Sequence, residues 1–85
     1  MEYRVEVVAS AKKSLKNIES LYIPKIIQRI DLLKVNPRHY GSQKMSGYET
    51  TYRTRVGKYR IIYEIYDQKV LVIVVSIDHR KDVYR

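Results

Sequence analysis

Cysteine is absent from this sequence of 85 residues, which excludes disulfides and thiolate-held zinc outright. Histidine is scarce: His39 and His79 lie far apart and outside metal-ligand spacing, so neither a metal nor another cofactor is expected. Long apolar runs are also missing. The longest, residues 70–75, falls far short of the roughly 20 residues a bilayer requires, so no membrane role is expected. The opening Met1-Glu2-Tyr3-Arg4 passes straight into a strand-like pattern. Nothing there resembles a signal peptide, and the cytoplasm is the expected compartment.

Negative charge is in short supply. Nine Asp and Glu stand against 17 Lys and Arg, a formal net charge of +8. Such a surface attracts polyanions and speeds their encounter. Nucleic acid, an anionic membrane or an acidic protein could each be the counterpart, and charge alone does not choose among them. The length suits one domain, residues 1–85, burying about 60–65% of the surface that the unfolded chain exposes. One layer of helix on one sheet is then expected, with an open surface site better suited to a polymer than to a small metabolite.

What is present reads as strand, helix, helix and a three-stranded meander. Residues 2–8 alternate, with Tyr3, Val5 and Val7 on one side. Ser10 stands where an N-cap would, before Ala11, Leu15 and Ile18 at helical spacing; Lys13 occupies the place of a capping-box glutamate, so the start signal is partial. A second helix follows from the stripe Ile23, Ile26, Ile27, Ile30 and Leu33, with Pro24 in its first turn and Asn36-Pro37 as its stop. Residues 38–47 read as a loop. From Tyr48 the period becomes two, with turns at Val56-Gly57-Lys58 and Asp67-Gln68-Lys69. Residues 70–77 are apolar on both faces, which predicts a central strand. The fold class is α+β: an antiparallel sheet in β-α-α-β-β-β order, with an N-terminal helical hairpin on one face.

Arg53 and Arg55 are two apart on a strand and project to the same side. Arg60 opens the next strand, near enough to converge with them, and Lys58 lies in the turn between. His79, Arg80, Lys81, Tyr84 and Arg85 follow the last strand. Guanidinium, imidazole and phenol side chains on an open sheet are what phosphate clamping and base stacking require. Each also has a plainer reading. Exposed arginines are commonly solvated charge, and a histidine at a strand end is commonly structural. Glu49 and Glu64 are available to pair with the arginines. Tyr3, Tyr52, Tyr59 and Tyr63 are expected in or beside the core, where their hydroxyls need partners. His39 carries no signal.

The stretch Tyr52-Arg53-Thr54-Arg55-Val56-Gly57-Lys58-Tyr59-Arg60-Ile61-Ile62-Tyr63 resembles the middle strand pair of the RelE/ParE toxin superfamily. The tail His79-Arg80-Lys81-Asp82-Val83-Tyr84-Arg85 resembles that family's closing motif, and Lys44-Met45-Ser46-Gly47 its turn before the second strand. The resemblance spans essentially the whole chain. It implies a RelE-like fold and a ribosome-dependent endoribonuclease, an mRNA interferase that needs no metal and inhibits translation. Such a toxin cuts mRNA in the ribosomal A site by attack of the ribose 2′-hydroxyl on the adjacent phosphate. Its implied partners are the ribosome, mRNA and a cognate RelB-like antitoxin. The implied catalytic group is Arg60, His79, Arg80 and Tyr84, with Arg53, Arg55, Lys58, Lys81 and Arg85 binding RNA.

One position departs from the pattern. Well-known relatives carry lysine where Arg53 and Arg55 stand, and a guanidinium with a pKa above about 12 is no base at neutral pH. His79, with an unperturbed value near about 6.5, is the expected acid or base in its place. The alternatives are a ParE-like inhibitor of DNA gyrase, a non-catalytic RNA-binding module, and a decayed toxin kept as its antitoxin's partner.

Overall fold

A computed structural model describes residues 2–79 of the chain. β1 (Arg4–Val7) leads into α1 (Ala9–Ser14), and two short 3-10 turns (Leu15–Asn17 and Ser20–Tyr22) lead on to α2 (Ile23–Val35). Then come β2 (Gln43–Lys44), β3 (Thr51–Val56), β4 (Tyr59–Tyr66), a further 3-10 turn (Asp67–Lys69) and β5 (Leu71–His79). The sheet order is β1-β5-β4-β3-β2. Helices and meander stand where periodicity places them, and the apolar segment is central, between β1 and β4.

Three details differ from the sequence reading. β1 runs parallel to β5, Arg4 opposite Leu71 and Val7 opposite Val74, so the sheet is mixed and only β2 to β5 are antiparallel. Alternation reveals a strand but not the direction of its neighbour, and a strand apolar on both faces accepts either. β2 is an added two-residue strand inside the expected loop, pairing Gln43 with Arg53 and Lys44 with Tyr52. α1 begins at Ala9, with extended Val8 as N-cap, so Ser10 lies inside the helix. The Ser14 hydroxyl there bonds back to the Ser10 carbonyl at 3.0 Å.

Tyr59, Ile61, Tyr63 and Ile65 of β4 are buried, as are Thr54 and Val56 of β3 and Val72 and Val74 of β5. α1 contributes Ala11, and α2 contributes Ile26 and Leu33; Ile23 and Ile30 pack at the margin. Ile27, placed in the apolar stripe by spacing, is 48% exposed. A register shift between Ile62 and Tyr63 puts Ile62 opposite Ser76 and Tyr63 opposite Val74. Val75 is thereby the extra residue of a bulge, which lets both Val74 and Ile77 reach the core. The β3–β4 hairpin closes over Gly57-Lys58, with Gly57 at φ +61. That sign suits a two-residue primed turn with glycine first.

Strand alternation then sorts the side chains. Residues in phase with Thr54, Tyr59 and Tyr63 lie on the helix-covered face. Arg53, Arg55, Arg60, Ile62 and Glu64 lie on the other. Among the described residues no helix is long and apolar enough to cross a membrane.

Candidate functional site

The open face carries a polar row set by strand pairing. Arg55 is opposite Arg60, and Arg60 is opposite Asp78 on the next strand. Two like charges side by side on a sheet repel, and an acidic neighbour on the far side offsets the repulsion. Arg53 is opposite Gln43, whose side-chain oxygen accepts a hydrogen bond from Arg53 Nε at 3.0 Å. Ser76 and Asp78, the next polar pair along β5, are hydrogen-bonded to each other.

A shallow cavity of about 200 Å³ opens here, lined by Gly41, Gln43, Arg53, Thr54, Arg55 and Arg60. Arg55 is exposed and Arg53 half-exposed. Arg60 is 4% exposed and is not without a partner. A cation held this far from water keeps its direction, as charge stabilisation requires, and its field is screened less than that of a surface arginine.

The cavity is backed by a buried polar network that sequence reasoning missed. Thr54, between the two strand arginines, turns its side chain to the helix face. Arg29 of α2 reaches it there, donating to Thr54 Oγ1 at 2.5 Å and to the Arg55 carbonyl at 2.8 Å. His39 Nε2 meets the same hydroxyl at 2.9 Å. His39 is 6% exposed, and burial first, then the Arg29 charge, pushes its pKa below the usual imidazole value. The Tyr63 hydroxyl donates to the Pro37 carbonyl at 2.6 Å, and burial pushes this phenol up to about 12. Only the position of Thr54, polar and in phase with the core, hinted at such a network in the sequence.

A second network pins the start of the same loop. Arg38 forms a two-pronged pair with Asp67, at 3.1 and 2.7 Å, and donates to the Tyr52 hydroxyl at 3.1 Å. Tyr3 donates to Asp67 at 2.7 Å. The Arg38 and Tyr3 hydrogen bonds hold the Asp67 carboxyl down at about 2.

The expected site residues divide. Arg53, Arg55 and Arg60 come together. Lys58 does not join them: its ammonium pairs with Glu19 at 2.5 Å and lies 5.8 Å from the centre of the Tyr22 ring, on the helix side of the hairpin. His79 does not join them either. It is opposite Tyr59 in the ladder, and its ring meets the Tyr59 ring edge-on at 5.5 Å, on the helix-covered face. Alternation thus puts the imidazole on the opposite side of the sheet from Arg60, and the two basic groups expected to converge are split at this point. Arg80, Lys81, Tyr84 and Arg85 lie outside the described residues. Among the described residues no three His, Cys, Asp or Glu cluster as a metal site would require.

Comparison with known proteins agrees with this architecture. Residues 5–84 match the family described as the ParE toxin of the type II toxin–antitoxin system parDE. Toxin RelG of Mycobacterium tuberculosis is 27% identical over 86 residues, covering 100% of this chain and 99% of that protein. The archaeal RelE–RelB complex from Pyrococcus horikoshii contains a chain of the same fold, with a TM-score of 0.81 at 24% identity, covering 94% of this chain and 97% of that one. The RelB–RelE antitoxin–toxin complex from Methanococcus jannaschii contains another, with a TM-score of 0.78 at 25% identity, covering 93% and 94%.

Proposed function

The chain belongs to the ParE toxin family of type II toxin–antitoxin systems, RelE-like in fold and relatives, and we propose that it acts there as an mRNA-cleaving toxin on the ribosome. The observation that carries this reading is the open arginine groove. An edge strand, a turn and two central strands converge three guanidinium groups on a shallow surface that admits a nucleotide chain. In-line attack of a 2′-oxygen on the neighbouring phosphate forms one P–O bond and breaks the bond to the 5′-oxygen, leaving a cyclic phosphate and a 5′-hydroxyl. Negative charge grows on the non-bridging oxygens as this happens. Arg60, buried and partnered, is placed to meet that charge, while Arg53 and Arg55 hold the flanking phosphates. No metal is needed for this chemistry.

None of the side chains lining the groove is a base at neutral pH. With His79 across the sheet, proton transfer at the groove is not assigned to it, and Arg80 and Tyr84 keep the roles the resemblance implies. Catalysis by the described residues rests on orientation and charge. Arg60→Ala should then lower cleavage about a hundredfold or more, as loss of a preorganised donor does elsewhere. His79→Ala, if it remains folded, should stay within a few fold of the parent.

The cognate antitoxin is the natural counterpart of a basic chain with exposed Leu21, Ile27, Leu32 and Val35 around its second helix. A segment carrying both apolar and acidic side chains fits such a surface. Action on translating ribosomes places the protein in the cytoplasm.

The test is primer extension on a defined mRNA, with and without ribosomes stalled at a known codon. Ribosome-dependent cuts in the A-site codon are expected. Cutting of free RNA would remove the ribosome from the reading. Growth arrest without any cleavage, together with inhibition of gyrase supercoiling, would put the ParE-like activity in its place. Neither cleavage nor arrest, with RNA binding retained, would leave a binding module.

A further inference from the structure

We propose that Tyr40 is a base-stacking residue of the arginine groove, taking the face of a base in single-stranded RNA whose phosphates lie along Arg53 and Arg55. The proposal rests on the RNA reading above. Tyr40 is 104% exposed, so its ring has no packing role in this chain. Its neighbours are different. His39 is buried against Thr54, and Gly41 lines the groove beside Gln43 and the three arginines.

The backbone here is a pinned turn. Ser42 N–H donates to the His39 carbonyl at 3.0 Å, which closes a β-turn with Tyr40 and Gly41 at its centre. Gly41 has φ +98 and Tyr40 no positive φ, the combination of a type II turn with glycine at its third position. The turn is tied to the sheet at three points: Pro37 to Tyr63, His39 to Thr54, and Gln43 to Arg53. Tyr40 is therefore rooted about 3.8 Å of backbone from the groove wall, on a corner that gains little freedom when its ring is left bare. An anchored turn displaying an unpacked aromatic beside a row of guanidinium groups is the pairing of stacking surface and phosphate contacts that single-stranded nucleic acid binding employs. Tyr48, at 58% the other strongly exposed tyrosine among the described residues, has no chain neighbour in the groove lining, whereas Tyr40 has Gly41, so Tyr48 serves as the internal control.

The chain contains no tryptophan, so Tyr40→Trp introduces a single indole at the proposed contact. The full chain carrying this substitution would be titrated with a short 2′-O-methyl RNA, which lacks the attacking hydroxyl, and with a matched strand made abasic throughout. Expected are saturable quenching of the indole by the intact strand, at the affinity read independently from labelled RNA, and little quenching by the abasic strand. Tyr40→Ala should weaken binding about five- to hundredfold, the range for one stacked base. Tyr40→Phe should bind within about twofold of the parent, and Tyr48→Ala likewise. Because the Tyr40 ring is fully exposed, its three variants should melt with the parent. Unchanged affinity in Tyr40→Ala with normal binding by the parent would overturn the stacking role and leave the RNA reading standing. Absence of binding by the parent would overturn the stacking proposal, and the ribosome-dependent cleavage assay would decide the RNA reading separately.

Discussion

Removing one oxygen atom at Tyr63 isolates the anchor that holds the groove wall. Tyr63 is fully buried, and its ring stacks on Tyr52 with centroids 6.1 Å apart, so Tyr63→Phe preserves shape and packing. What disappears is the 2.6 Å hydrogen bond to the Pro37 carbonyl, and Pro37 is itself buried. An ordinary hydrogen bond contributes about 1 kcal/mol net, and an acceptor left dry and unpaired raises the cost into the range of about 1–3 kcal/mol. For a domain of this size each kcal/mol moves the melting temperature by about 4–8 °C, so a fall of roughly 4–24 °C is expected. Calorimetry on parent and variant would read the stability, and the cleavage assay would read the loop. Activity should drop more steeply than the unfolded fraction explains, because Gly41, Gln43 and Tyr40 stand on the segment that Pro37 begins. A midpoint within about 2 °C of the parent, with full activity, would refute the idea that this bond holds the wall.

Strong acid should act through Asp67. Its carboxyl titrates at about 2 in the fold against 3.8 in the unfolded chain, so the stability it brings is complete above about pH 4 and is lost as pH falls towards 2. Urea midpoints over that interval should flatten in Asp67→Asn. His39 works at milder pH. Its folded pKa lies below the ordinary 6.5, and it faces Arg29 from α2 and Thr54 from β3. The unfolded state therefore takes up the proton first, and stability falls below about pH 6.5 with a slope of at most about 1.4 kcal/mol per pH unit. Urea titrations in a His79→Gln background should show the slope, and the further change His39→Gln should remove it. Gly57→Ala should cost about 1–3 kcal/mol by calorimetry, since the residue has φ +61 and a β-carbon would collide with the Tyr22 ring.

The elements were legible because their signals are local. The stripe of Ile23, Ile26, Ile30 and Leu33 names α2 and its buried side, and Asn36-Pro37 ends it. Alternation through residues 51–66 names the hairpin, and Gly57 marks its turn. What depends on distant partners was not legible. β1 shows itself as a strand while giving no hint that β5 lies parallel to it. β2 is two residues whose only reason to be a strand is the edge of β3. Arg29 reads as a solvated helix charge, yet it reaches 25 residues along the sequence to Thr54. His39 reads as a loop residue because nothing local says that Thr54 waits behind it.

The site divides along the same line. Arg53, Arg55 and Arg60 could be grouped from sequence because strand parity and one hairpin register suffice to place them. His79 and Lys58 were grouped with them by charge and nearness, and each is taken away by a particular aromatic ring. Tyr59 opposite His79 fixes the imidazole to the helix side of the sheet, and Tyr22 with Glu19 draws Lys58 to the same side. Net charge therefore overstates the groove. Of the basic residues around the hairpin, parity admits only those out of phase with the buried tyrosines of β4. The same partition gives the arginine face its backing: Thr54 is the one polar residue of β3 turned inward, and through it Arg29 and His39 brace the strand segment that carries Arg53 and Arg55. A core of aliphatic side chains alone would hold β3 in place. It would not fix the corner of the loop that forms the groove's wall, because that corner is tied through hydroxyl and imidazole groups rather than by packing.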